Sequence, residues 1–225
     1  MKEKEELWYA HNALQGKRPM VVMEEETFLG EIIPPLKCSS EMGKWMEGKL
    51  LQTIAAYEVT GDETGNNRQV ISTDTWGHLN SQESVGLSPE MFREFILPYY
   101  CRLAKEFGLI YYGCCEPVDV FWDDGISRIP NLRKVSISPW CNEAVMSERL
   151  AHSSIIYSRK PSPNYLAVER EFDKDAFRTY IKHTLETARG CKIEFIFRDI
   201  YKLNGNITKI KEAVGIVKEL TADIY

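Results

Sequence analysis

Short apolar runs alternate with longer stretches in which apolar residues recur at helical spacing. The short runs lie at Met20–Met23 and near residues 109–113, 133–137, 153–157 and 192–197, with a more modest one at Val70–Thr73. Runs of this length bounded by turn residues read as buried strands. Helical spacing predicts helices over 3–14, ending near Gly16, and from about Ser40, where Trp45, Met46, Leu50, Ile54 and Tyr57 share a face. Further helices are expected near 142–151, 174–189 and 207–221. Ser88-Pro89-Glu90 is a strong helix start, with an N-cap oxygen, a proline at the first helical position and an early acid. After it Phe92, Phe95, Ile96, Tyr99, Leu103 and Phe107 form one apolar stripe, closed by Gly108, and Pro98 should kink the helix. Pro34-Pro35 breaks the chain, and 61–68 reads as a loop.

Strands alternating with helices predict parallel βα units. About five such units follow residue 70, fewer than the eight of a closed (β/α)₈ barrel. A chain of 225 residues holds one sizeable core. The net charge of −5 argues against a nucleic-acid partner held through phosphates. No apolar run approaches the ~20 residues that span a bilayer, so no membrane partner is expected. Six cysteines behind an amphipathic, signal-free start, Met1-Lys-Glu-Lys-Glu-Glu6, suggest the reducing cytoplasm. Adjacent cysteines form only a strained disulfide, so Cys114 and Cys115 are expected as free thiols.

The chemistry concentrates where strands end. Leu109-Ile-Tyr-Tyr-Gly-Cys-Cys-Glu-Pro117 runs from a strand into two thiols and a carboxylate, and Arg133-Lys-Val-Ser-Ile-Ser-Pro-Trp140 ends in a small polar turn. Parallel α/β proteins build sites from groups just past such strand ends. Cys114 and Cys115 read either as metal-binding thiols or as small packing groups. Glu116 reads as a general base, as a partner for an arginine such as Arg133, or as a turn cap. Asp199 stands where barrel catalytic residues stand, or caps the turn into Asn204-Gly205. Arg159 and Lys160 follow a strand and suit a substrate carboxylate or phosphate. Ser138, Trp140, Gln82 and Glu83 are candidate pocket residues. Of the four histidines, His11 and His183 read as surface positions on helices, His152 sits beside a strand start, and His78 alone is expected near a pocket.

From Trp76 onward the chain resembles the uroporphyrinogen decarboxylase-like superfamily, which includes zinc-dependent methyltransferases serving corrinoid proteins. The resemblance rests on Trp76-Gly, Ser81-Gln-Glu83, the run from Ser88 to Tyr99, Tyr112-Gly-Cys-Cys-Glu-Pro117, Ile129 to Trp140, Ser158-Arg-Lys-Pro-Ser-Pro163 and Glu194-Phe-Ile-Phe-Arg-Asp199. It implies an α/β, TIM-barrel-like fold, here an incomplete or shortened barrel of parallel βα units. Residues 1–60 would form the family's N-terminal helical segment, 61–75 a loop replacing missing barrel units, and 76–225 the βα units carrying the site. In the methyltransferase branch a His-x-Cys pair and a distant Cys bind zinc, which activates an incoming thiol. Here Tyr112-Gly-Cys114 occupies the His-x-Cys place, with tyrosine standing for histidine. The metal ligands implied are Cys114, Cys115 and Glu116 together with Asp199, with Tyr112 among the residues contacting substrate. The arginine-rich motif of true uroporphyrinogen decarboxylases has no counterpart in residues 1–40.

The resemblance thus implies a metal-dependent methyltransferase acting on an undetermined small substrate, with zinc and a methylcorrinoid partner protein. Two other readings stand beside it. One is a lyase, of decarboxylase type and free of metal, with Glu116 and Asp199 as acid and base. The other is a non-catalytic remnant or binding module that closes its sheet by self-association, giving a homo-oligomer.

Overall fold

The structure, a computed structural model, describes residues 2–16, 18–23, 33–45, 47–48, 51 and 75–224. Expected features at 61–68, Val70–Thr73 and most of the helix from Ser40 lie outside those residues. The elements that position the site are α1 (Lys2–Asn12), β1 (Met20–Met23), β2 (Trp76–Leu79), α2 (Pro89–Phe95), α3 (Leu97–Ala104), β3 (Leu109–Tyr112), β4 (Leu132–Ile137), α4 (Glu143–Leu150), β5 (Ile156–Arg159), α5 (Asn164–Ala167), α6 (Lys174–Thr187), β6 (Ile193–Phe197) and α7 (Thr208–Leu220). No helix among the described residues is long and apolar enough to cross a membrane.

Side-chain capping starts several helices where the sequence predicts. Ser88, Asn142 and Asp173 accept hydrogen bonds from the backbone N–H groups of Met91, Val145 and Ala176, each satisfying an otherwise orphaned donor. The helix begun at Pro89 does not run through: it breaks at Ile96, and a second helix starts with Pro98 in its first turn. The predicted stripe divides between two faces. Phe92, Leu97 and Ala104 are buried, whereas Phe95, Tyr99 and Leu103 face out.

Among the described residues six strands pair in parallel, in the order β1-β6-β5-β4-β3-β2. From β2 to β6 the sheet is laid down in chain order, and β1 adds beyond β6, so β1 and β2 form opposite edges. Uniformly right-handed crossovers in such a sequence send the connecting helices to one face. That face is apolar: Ile110, Val135, Ile137, Tyr157, Phe195 and Phe197 join Phe177, Ile181, Ile210 and Val217 in the core. Gly77 in β2 lies hard against this layer, because a Cβ there would sit 2.7 Å from the Phe107 ring.

Arg159, the last residue of β5, also points to the helix side, fully buried. Its guanidinium donates to Glu143 Oε1 at 2.5 Å, to the Tyr180 hydroxyl at 2.6 Å and to the Ile137 and Ser138 carbonyls. It ties β5 to β4, α4 and α6. The expectation had β5 over 153–157. Ser153 and Ser154 instead make a bend, and the strand begins at Ile156.

The inner face carries polar residues. The register aligns Lys134 with Tyr111, Ser136 with Ser158, and Ser158 with Glu194. Glu194 is fully buried and receives Lys134 Nζ at 2.8 Å and His11 Nε2 at 2.9 Å. His11 is therefore buried against the sheet, not at the surface, because its partner lies across the chain on β6. The Lys134 ammonium also sits 4.9 Å from the ring centres of Trp8 and Trp76, a two-sided cation–π contact. Through this group α1 is fastened to β2, β4 and β6.

Burial alone would raise the Glu194 carboxyl. The Lys134 charge, followed by the His11 contacts, outweighs it and holds the group at about 2, against an ordinary 4.5. A depressed folded-state value stabilises the fold above the unfolded value and ceases to do so as pH falls through the folded one. The stability gap between wild type and Glu194→Gln, measured by urea unfolding, should be constant near neutrality and shrink as pH falls from 4.5 toward 2. Lys134→Ala, which strands the carboxylate, should cost about 3–5 kcal/mol in the same assay at pH 7.

Candidate functional site

The turn leaving β3 is held from several sides. Gly113 adopts φ +98, and a Cβ there would meet the Ser136 Cβ at 3.0 Å, so this position needs glycine. His78 on β2 donates from Nε2 to the Gly113 carbonyl at 3.1 Å. The Cys114 carbonyl accepts from Ser136 Oγ at 2.7 Å and from Lys160 Nζ at 2.8 Å. Four strands thus fix the rim segment that carries the thiols.

Glu116 completes the clamp. It is 3% exposed, its Oε1 accepts from the Ser81 N–H at 3.0 Å, and its Oε2 accepts from the Cys114 N–H at 2.9 Å. Of the roles weighed for it, the geometry matches a turn cap joining the ends of β2 and β3. Arg133 reaches instead to the Asn12 carbonyl. Ser138, also buried, donates to the Glu116 carbonyl at 3.4 Å.

Cys115 is placed differently. Its Sγ donates to Asp199 Oδ2 at 3.0 Å and lies 3.6 Å from Cys114 Sγ. Asp199 follows β6 and holds φ +61, a left-handed conformation that is uncommon outside glycine and collects at functional positions. A thiol from the end of β3 and a carboxylate from the end of β6 therefore meet at the C-terminal rim. Burial first, then the hydrogen bonds to Asp199 and Cys114, push the Cys115 thiol up to about 12.

Below this pair the inner face is polar and aromatic. Lys160, 2% exposed, lies 5.6 Å from the centre of the Tyr111 ring. That ring stacks on His78 at 5.3 Å, and its hydroxyl accepts from Ser158 Oγ at 3.2 Å. Lys160 and Arg159 thus diverge to opposite faces, as consecutive residues on an extended chain must.

The remaining candidates do not join this group. Tyr112 points to the helix side and packs edge-on to Tyr100 at 5.9 Å. Trp140 is 66% exposed. Gln82 and Glu83 are exposed on a one-turn 3₁₀ helix, with Ser81 and Ser84 buried beneath them and bonded to each other. Tyr111, Ser136 and Ser158 were not singled out in the sequence. Their signal was the period-two placement of polar groups in strands that are buried on both faces.

No family model matches the chain, and no solved structure matches it. If Glu116 is a structural clamp, Glu116→Ala leaves two buried N–H groups without an acceptor. It should destabilise the fold by about 1–3 kcal/mol for each, read by urea unfolding.

Proposed function

We propose that the chain is an enzyme acting on a small anionic substrate, a metal-free relative of the uroporphyrinogen decarboxylase-like proteins built on an incomplete TIM-type barrel. The chain-ordered parallel sheet with β1 beyond β6 supports the barrel reading, since the first and last strands of such a barrel are neighbours. The observation that carries the activity is the Cys115 Sγ to Asp199 Oδ2 contact of 3.0 Å at the strand ends.

Zinc-dependent methyl transfer, which the resemblance implies, asks for several donors converging on one point. Among the described residues no three His, Cys, Asp or Glu side chains gather in that way. Glu116 engages both oxygens with backbone N–H groups, and the Cys115 thiol is bonded to Asp199 Oδ2. The residues present do not fit the metal, and the reading needs neither zinc nor a corrinoid partner.

A thiol held near 12 stays protonated at neutral pH. Such a thiol can give its proton to a strongly basic centre, such as the carbanion left when a carboxylate departs as CO₂. In such a step the C–C bond breaks, its electron pair stays on carbon, and that carbon takes the Cys115 proton. The Asp199 carboxylate then relays a solvent proton back to sulfur. Lys160, buried on the inner face, holds a second carboxylate of the substrate. This selects a decarboxylation-type lyase from the alternatives raised by the sequence, with Asp199 retained and Glu116 replaced by Cys115.

A panel of small di- and tricarboxylates should show CO₂ release that disappears in Cys115→Ala and Asp199→Asn. Lys160→Met should weaken binding of the same acids, followed by intrinsic fluorescence, by at least about 10-fold. Stoichiometric zinc in freshly purified protein, lost in Cys115→Ser, would overturn the metal-free reading and restore methyl transfer.

A further inference from the structure

The α2–α3 pair turns a row of large apolar side chains outward. Met91, Phe95, Tyr99 and Leu103 follow one another at intervals of four and are 44%, 56%, 70% and 46% exposed. That interval keeps them on one face of a helical segment, while Phe92, Leu97 and Ala104 on the other side enter the core. The backbone supports a nearly continuous row across the break, since the Ile96 N–H reaches the Phe92 carbonyl and the Tyr100 N–H reaches the Ile96 carbonyl. Apolar residues scattered singly over a surface need no explanation, but a contiguous row marks an interaction surface.

The charges flanking the row decide what kind of partner fits. Glu94 and Arg102 each precede a residue of the row by one position, and they stand at equal distances in the chain on either side of Pro98. Acid at one end and base at the other is the pattern required for self-complementarity. A two-fold axis passing near Pro98 lays a second copy antiparallel on the first. Glu94 of each copy then faces Arg102 of the other, and the central Phe95 and Tyr99 rings pack across the axis. Isologous pairing of this kind repeats every contact twice, and aromatic anchors at its centre are the residues expected to carry most of its energy.

We propose that the outer face of α2–α3 is a homodimer interface, formed by antiparallel pairing of two copies of this chain through Met91, Phe95, Tyr99 and Leu103 and fixed in register by reciprocal Glu94–Arg102 contacts. This interface shares no residue with the rim site, and it leaves the edges of β1 and β2 unused. It differs in that respect from closing the sheet by edge pairing.

Sedimentation velocity on the full chain over a concentration series tests the proposal, with circular dichroism and urea unfolding confirming that each variant folds. Wild type is expected to show a concentration-dependent dimer, and Tyr99→Glu a monomer. Glu94→Arg and Arg102→Glu, which each place like charges together twice, should weaken association by at least about 10-fold. The double exchange, Glu94→Arg with Arg102→Glu, should restore it. A wild type that stays monomeric overturns the proposal, as does a folded Tyr99→Glu that dimerises as well as wild type. Failure of the double exchange to recover association overturns the antiparallel register.

Discussion

A carboxylate with no access to water, Glu194 on β6, joins α1 to β4. An isolated buried charge of this kind carries a large desolvation penalty. Lys134 from β4 and His11 from α1 offset it, and two indole rings, Trp8 and Trp76, enclose the lysine. The inner face of the sheet is consequently defined by charge and hydrogen bonding, while the outer face is defined by apolar packing. At the strand ends beyond that face, Cys115 meets Asp199.

At the rim a clamp and a thiol sit side by side. Glu116 and Cys115 are neighbours in sequence and both carry polar side chains, yet one is used to cap backbone donors and the other meets a carboxylate from across the sheet. The clamp fixes the turn, and the fixed turn orients the thiol. A reactive group needs such supporting contacts to keep its geometry.

Much of this architecture was legible in the residues. The alternation of strand and helix and the capped start at Ser88 follow from local patterns, and the structure bears both out. What was illegible depends on long-range pairing. In strands buried on both faces the polar–apolar alternation is confined to a few residues, Lys134 and Ser136 on β4 and Ser158 on β5, and does not say which side faces the helices. For that reason Tyr111 was passed over for Tyr112, and Arg159 was grouped with Lys160. His11 looked like a surface residue because its partner lies 183 positions away. The predicted stripe on α2–α3 divides, Phe92, Ile96 and Phe107 turning to the core while Phe95, Tyr99 and Leu103 turn outward, because a stripe so wide covers more than one face of the helix.

The strand order carries a further consequence for how the chain assembles. β2 through β6 join in the order of synthesis, each strand pairing with the one just made. β1, by contrast, has its only described neighbour in β6, so residues 20–23 leave the ribosome long before residues 193–197 exist to receive them. Closing so large a loop costs entropy. The pairing of β1 with β6, and with it the enclosure of Glu194 between Lys134 and His11, has to await the last described strand of the sheet.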